Sequence, residues 1–283
     1  MDKLGVIAGG GGLPVALANA CRAAGRPYAV FRIRGMADPE LAEHPGAEIE
    51  LAQLARMMQA LRAEDCRSLC FVGKVQRPDF KALKPDIAGM KVLPTILAAA
   101  AKGDDALLRA ILGYFEKQGF RVEGADEAAA ALTLGQGAMG ACGPSLDDVR
   151  DIEHAVMVAR EVGRFDIGQG VVVSHSLVLA VEAQEGTAAM LARVAELPQA
   201  IRAPRGGRQG VLVKLPKPVQ DRRIDLPTIG VATVEQAAAA GLAGVAGEAG
   251  SLLVVDRDAV REAADRLDLF VYGLPRPDTR SRA

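Results

Sequence analysis

Between Gly210 and Gly230 an apolar run, Val211-Leu212-Val213, ends on Lys214. The chain then reads Leu215-Pro216-Lys217-Pro218-Val219-Gln220-Asp221-Arg222-Arg223-Ile224-Asp225-Leu226-Pro227. From Lys214 to Asp225, four cations and two carboxylates share twelve residues. The prolines deny this stretch regular structure and stiffen it. It carries more charge than a connection requires, and the chemistry it suggests acts on an anionic substrate. The same composition also suits a solvated loop between two strands. Further carboxylates, Asp166, Glu182 and Glu185, fall at expected strand ends or turns of the same half. Magnesium takes oxygen ligands, typically one or two carboxylates beside waters and a substrate phosphate. Lys214, Lys217, Arg222 and Arg223 could neutralise that phosphate, so the set could stabilise charge in phosphoryl transfer and position a water.

The first half offers two more clusters. Gly9-Gly10-Gly11-Gly12 follows an apolar strand, and Leu13-Pro14 opens an alanine-rich helix. Free N–H groups and the helix dipole make such a junction an anion site. It is similar to the dinucleotide fingerprint, but Pro14 stands at the third glycine position. The next strand carries Arg32 and Arg34 where an NAD site wants a carboxylate. A phosphate-bearing substrate, a structural tight turn and a dinucleotide cofactor all stay open. Gly73-Lys74-Val75-Gln76-Arg77-Pro78 is a polar, cationic strand end. Ligands gather at such ends in open α/β sheets, although an ordinary exposed loop reads the same way. Ser174-His175-Ser176 alternate along an extended chain and do not face one another, so His175 reads as a satisfied polar residue. His44 and His154 stand alone, and there is no HExxH, zinc spacing or Walker loop.

These groups need a scaffold, and 283 residues suffice for two domains. Aromatics are 4% and Trp is absent, so the core falls to Ala, Leu, Val and Ile. A net charge of −1 without one-signed blocks does not indicate nucleic acid. Cys21, Cys66, Cys70 and Cys142 lack CxxC spacing; Cys66 and Cys70 read as buried thiols in a reducing cytosol. No apolar run reaches the roughly 18 residues of a membrane span, and the N-terminus enters a strand at once, leaving no room for a signal peptide. A soluble cytoplasmic protein is expected, with peripheral membrane contact left open.

Apolar periodicity predicts strands at 4–8, 28–33, 68–72 and 120–122, and helices at 13–24, 51–63, 94–101, 104–117 and 126–132. This outlines a Rossmann-like α/β domain over 1–132. Four glycines and a proline make 133–144 the expected linker. A second α/β domain over 145–283 opens on a helix capped by Ser145, with Asp147 and Asp148 in its first turn, running to 162. Strands follow at 171–173 and 177–181, then a helix to 196 and a basic glycine-rich loop over 202–210. After the charged loop come a helix at 234–240, a strand at 252–255, a helix at 256–267 and a strand at 269–272. Residues 275–283 read as a disordered tail.

The chain resembles the UDP-2,3-diacylglucosamine pyrophosphatase family of the LpxI type. The resemblance rests on Val178-Leu179-Ala180-Val181-Glu182, Glu185-Gly186-Thr187, Leu212-Val213-Lys214, Lys217-Pro218, Gln220-Asp221, Arg223 and Asp225-Leu226-Pro227. Ala8-Gly9-Gly10-Gly11-Gly12-Leu13-Pro14 and the 73–78 segment also match, so nearly the whole chain is covered in order. Ala188 departs from a pattern that often holds an acid there.

The resemblance implies hydrolysis of the UDP-2,3-diacylglucosamine pyrophosphate to 2,3-diacylglucosamine 1-phosphate (lipid X) and UMP, within lipid A biosynthesis. It implies Mg2+ or a similar divalent cation, two linked α/β domains enclosing the substrate, a homodimer, and water attack on the sugar-side phosphorus. Asp225 aligns with the family's essential aspartate and is expected to bind the metal or orient the water, with Glu182 and Glu185 as further metal candidates. Substrate binding is expected from Gly11, Gly12, Lys74 and Gln76 in the first domain, and from Gly170, Lys214, Lys217, Gln220 and Arg223 in the second. Partners are the substrate and lipid X, with transient contact at the inner-membrane surface compatible. The dimetal motifs Asp-x-His and Gly-Asn-His-Asp, and the Nudix box, are absent. Two rivals stand beside this reading: a Rossmann-type oxidoreductase and a non-catalytic lipid or nucleotide carrier.

Overall fold

The computed structural model describes residues 1–76, 79, 82–218 and 220–276. Arg77 and Pro78 of the cationic strand end, Val219, and 277–283 of the expected tail lie outside the described residues. The chain divides into two compact units. The first takes in Met1–Ala131 and Asp221–Asp225; the second is Leu132–Gln220 and Leu226–Ala283.

The first unit is built on five parallel strands: β1 (Leu4–Ala8), β2 (Tyr28–Ile33), β3 (Gly46–Ile49), β4 (Ser68–Val72) and β5 (Arg121–Val122), in the order β3-β2-β1-β4-β5. Central β1, Leu-Gly-Val-Ile-Ala, is buried along its whole length, as a parallel strand covered on both faces must be. This order is that of a doubly wound nucleotide-binding half, and the direction of winding reverses between β1 and β4. Helices α1 (Gly12–Ala23), α2 (Leu54–Ala63), α3 (Ile87–Ala100), α4 (Asp104–Lys117) and α5 (Ala125–Ala128) connect and cover the strands. Met58 and Leu61 of α2, Leu112 and Phe115 of α4, and Phe31, Leu69 and Phe120 share one core, against which Ile224 also packs. Cys66 and Cys70 are buried free thiols. Burial pushes both thiols up, Cys66 to about 11, which makes them inert at neutral pH.

Helix α3 corrects an expected boundary. It begins at Ile87, not at 94, because Asp86 caps it by accepting from the Gly89 N–H at 2.8 Å; Pro94 lies inside the helix. β3 escaped the periodicity because Gly-Ala-Glu-Ile is only four residues long with one large apolar side chain; it forms by pairing with β2.

One buried ion pair fastens the edge of this unit. Arg26 donates through Nη2 to Glu123 Oε1 at 2.6 Å and through Nη1 to Oε2 at 3.2 Å, and also to the Ala128 carbonyl at 3.0 Å. Burial alone would raise the Glu123 carboxyl, but hydrogen bonds from Arg26 and Ser68 hold it below its ordinary value. A lowered folded-state pKa stabilises the fold above the unfolded glutamate value of about 4.3, and that stability is lost as pH falls through the folded-state value. Glu123→Gln should therefore flatten the acid limb of a denaturation-midpoint profile below about pH 4.3. It should also cost about 3 kcal/mol at pH 7, because Arg26 loses its buried partner. An unchanged acid limb would show that the pair carries no linkage.

The second unit holds β6 (Gly137–Ala138), α6 (Leu146–Arg164), β7 (Gly170–Ser174), β8 (Leu177–Val181), α7 (Gly186–Glu196), α8 (Gln199–Arg202), β9 (Val211–Lys214), β10 (Thr228–Ile229), α9 (Val231–Ala239), β11 (Gly244–Glu248), β12 (Leu253–Val254), α10 (Arg257–Arg266) and β13 (Phe270–Leu274). Six strands run β6-β13-β11-β9-β7-β8, and β10 pairs with β12. β9, β11 and β13 are parallel; β7 opposes β9, and β8 opposes β7. Alternation sorts the side chains of β7 and β9 to two faces. Val171, Val173, Val211 and Val213 meet Ile152, Ala155 and Ala159 of α6. Val172 and Leu212 meet Met190, Leu191, Val234 and Val260 from α7, α9 and α10. Ser145 and Asp148 form the capping box of α6.

Stretch 133–144, expected as a linker, is built into this unit. Thr133 bridges to Leu253, Leu134 is buried, and β6 pairs with Tyr272 and Gly273. β11 is a further strand that periodicity did not reveal. Gly-Val-Ala-Gly-Glu lacks a β-branched run, yet it lies between β9 and β13. A Cβ at Gly244 would collide with the Phe270 ring, so the missing side chain is what admits its neighbour. Among the described residues no helix is long and apolar enough to cross a membrane.

Candidate functional site

In the first unit, the glycine loop leaves β1 beside the end of β4. Gly9 N–H donates to the Val72 carbonyl at 2.9 Å, and Gly10 and Lys74 exchange a pair of hydrogen bonds at 2.8 and 2.9 Å. Two of the four loop N–H groups are thus spent on fastening the loop to the next strand. Gly11, with φ 91°, and Gly12 open α1 without a side-chain cap, and the N-terminal N–H groups of a helix suit an anion. Lys74 and Gln76 are exposed just past β4. All four expected residues of this unit therefore lie at carboxyl ends of β1 and β4, the position where ligands bind in doubly wound sheets.

Asp221–Asp225 belongs to the same unit and makes a tight turn. Ile224 N–H donates to the Asp221 carbonyl at 3.0 Å, and Asp225 N–H to the same oxygen at 3.4 Å. Arg223 grips Asp221 with two nitrogens, Nε to Oδ1 at 2.9 Å and Nη2 to Oδ2 at 2.7 Å, and gives Nη1 to Glu116 Oε1 at 2.5 Å. Arg223 holds the Asp221 carboxyl below its usual range, and Asp221 in turn pushes the guanidinium further up. The expected clamp on substrate phosphate is in this state a clamp on its own loop. With Ile224 packed on the core, the arginine fixes the backbone that carries half-buried Asp225.

In the second unit, Lys214 closes β9 and pairs in register with Gly170 at the start of β7, while Glu182 directly follows β8. Lys214 is 4% exposed and Glu182 6%. Lys214 Nζ donates to Thr187 Oγ1 at 2.7 Å and to the Thr228 carbonyl at 3.4 Å, and Thr187 Oγ1 donates to Glu182 Oε1 at 2.7 Å. Glu182 Oε2 lies 4.0 Å from Lys214 Nζ. A buried cation, hydroxyl and carboxylate thus form one chain at the top of α7. Gly170 belongs to it by having no side chain, since a Cβ there would collide with the Glu182 carboxylate.

The remaining candidates have separate partners. Glu185 accepts from Arg193 Nη2 at 2.5 Å and from the Ala183 N–H at 3.2 Å; its own backbone N–H, then Arg193, hold its carboxyl low. Lys217 Nζ pairs with Asp166 Oδ1 at 2.6 Å. Gln220 N–H donates to the Lys217 carbonyl at 3.2 Å. Ser174-His175-Ser176 forms the β7–β8 hairpin turn, where Asp151 accepts from the N–H groups of His175 and Ser176 at 2.9 and 2.7 Å. Among the described residues no three His, Cys, Asp or Glu side chains are placed to share a metal ion. The partners that sequence reasoning left unassigned are Glu116 and Arg193. Glu116 lies 107 positions from Arg223, and no local pattern links them.

A doubly wound unit with charged groups at its strand ends, followed by a mixed-sheet α/β unit in which a half-buried threonine links a buried lysine and glutamate, defines a two-domain α/β protein. The family model described as LpxI N-terminal domain matches residues 3–132, and that described as LpxI C-terminal domain matches 135–272. A curated protein of Caulobacter vibrioides, "UDP-2,3-diacylglucosamine pyrophosphatase LpxI", is 59% identical over 274 residues, covering 97% of this chain and 98% of its own. The chain belongs to the LpxI family.

Proposed function

We propose that this chain hydrolyses the pyrophosphate of UDP-2,3-diacylglucosamine, releasing 2,3-diacylglucosamine 1-phosphate and UMP. The observation that carries this reading is 59% identity, across nearly the full length of both chains, to a relative bearing that name. A water oxygen bonds to the sugar-side phosphorus. The bond from that phosphorus to the bridging oxygen breaks, UMP leaves with the electron pair, and the water's protons pass to carboxylate and solvent. Asp225 orients this water or holds a divalent cation. Mg2+ needs only one or two carboxylates when phosphate oxygens and waters complete its shell, so Asp225 could hold it without a protein cage. A bound Mg2+ supplies neutralisation of charge on the pyrophosphate oxygens.

Gly11, Gly12, Lys74 and Gln76 contact phosphate or nucleotide from the first unit. Within the second unit, Lys217 and Gln220 are the phosphate-binding groups, and Lys214 orders Thr187 and Glu182. Arg223 acts through the loop that presents Asp225. The reaction belongs to lipid A synthesis in the cytoplasm, catalysed by a homodimer that meets its lipid substrate at the inner-membrane surface.

Turnover in heavy-oxygen water, with Mg2+ and with EDTA, tests the reading. Heavy oxygen should enter the lipid X phosphate, leave UMP unlabelled, and fail to appear when EDTA is present. Label on UMP would refute attack at the sugar side. Tight substrate binding without any UMP release would favour a carrier.

A further inference from the structure

Helix α3 carries an apolar face that, among the described residues, nothing in its unit covers. Of its fourteen residues only Gly89 and Ala100 are buried, on the side that meets α2 and α4. At 3.6 residues per turn, Ile87, Met90, Pro94 and Leu97 form one stripe turned away from that side. Ile87 is 70% exposed, Met90 56% and Leu97 42%. Lys91 and Lys102, both exposed, fall on one rim of this stripe. α3 contains no acidic residue, and its cap Asp86 is committed to the N–H groups of Ala55, Arg56 and Gly89. α6 differs: its exposed Leu146, Val149 and Met157 are separated by Arg150 and Glu153 along the helix.

We propose that α3 is a shallow membrane-docking helix that seats the first unit on an anionic phospholipid surface. An apolar stripe edged by lysines is the pattern of a helix lying in the interface plane. Its apolar side chains enter the acyl boundary, and the lysine stems reach back to the phosphates. Charge selects this occupant over a second copy of the chain, because two α3 faces brought together would oppose lysine to lysine with no carboxylate from either helix. The inference concerns where the protein sits and stands apart from the chemistry at Asp225.

The test floats the full-length protein with vesicles of phosphatidylglycerol and phosphatidylethanolamine, or of phosphatidylcholine alone, without substrate. The protein should float with the anionic vesicles at least about tenfold more than with the neutral ones, and salt should weaken the association. Ile87→Ser/Met90→Ser/Leu97→Ser should lose this binding about tenfold or more. It should keep the wild-type melting temperature and turnover of detergent-dispersed substrate, since all three side chains are exposed. Lys91→Ala/Lys102→Ala should lose the preference for anionic lipid. Equal flotation with neutral vesicles, full binding by the triple serine variant, or a wild type that stays unbound would each overturn the proposal. So would a lipid-free dimer that the triple variant converts to monomer, which would make α3 an interface between copies. A wild type that binds vesicles yet releases no UMP would instead count against the hydrolase reading alone.

Discussion

Asp225→Ala is expected to lower kcat by at least about a thousandfold, corresponding to about 4 kcal/mol of lost transition-state stabilisation. The fold and substrate affinity should stay largely intact. The side chain is half-buried at the end of a turn whose hydrogen bond, Asp225 N–H to the Asp221 carbonyl, is made by backbone. Loop shape is held by Arg223 between Asp221 and Glu116, and by Ile224 on the core. Asp225→Asn keeps the volume and removes the charge, and should be nearly as inactive. Steady-state release of UMP beside thermal unfolding checks both halves. An Asp225→Ala protein with near-normal kcat would remove Asp225 from the chemistry; one that unfolds would make it a structural residue.

Lys214→Ala should be the most damaging single change to the second unit. Its ammonium is buried against Thr187, the Thr228 carbonyl and Glu182, and without it the Glu182 carboxylate stays buried with no facing cation. Breaking one side of a buried pair costs about 3–5 kcal/mol. Replacing both sides, as in Lys214→Met/Glu182→Gln, should recover most of that loss, because the desolvation penalty goes with the charges. Denaturant titration of the two singles and the double measures the coupling. A Lys214→Ala variant within 1 kcal/mol of wild type would show that the pair is not a buried charge pair. If the double variant is stable but inactive, the chain of groups acts on the substrate as well as on the fold.

Much of the architecture could be read because it is written locally. β1, β2, β4, β8 and α4 fall where short apolar runs and periodic apolar residues place them. The start of α6 follows from Ser145 with Asp148 three residues on. Local rules failed where neighbours decide. Gly-Val-Ala-Gly-Glu is a central strand because Phe270 fills the space its glycine leaves, and 133–144 lies on a sheet edge because β13 offers it unpaired groups. Pro94 looked like a helix start, but an aspartate eight residues earlier supplied a better cap.

The candidate site divides the same way. Sequence alone singled out the candidates for chemistry, Asp225, Glu182, Glu185 and the cations between Lys214 and Arg223, because charge density in a proline-stiffened loop and the order of motifs are one-dimensional facts. Which charges answer which others is a three-dimensional fact. Arg223 is bound to Glu116, 107 positions away, and Lys214 reaches Thr187 across a sheet register. Glu185 is held by Arg193 while Glu182 is buried under Gly170. A buried charge must find a partner wherever the chain brings one, since desolvation without compensation costs several kcal/mol. Sequence therefore named the groups, and packing determined which of them hold the loop that presents Asp225.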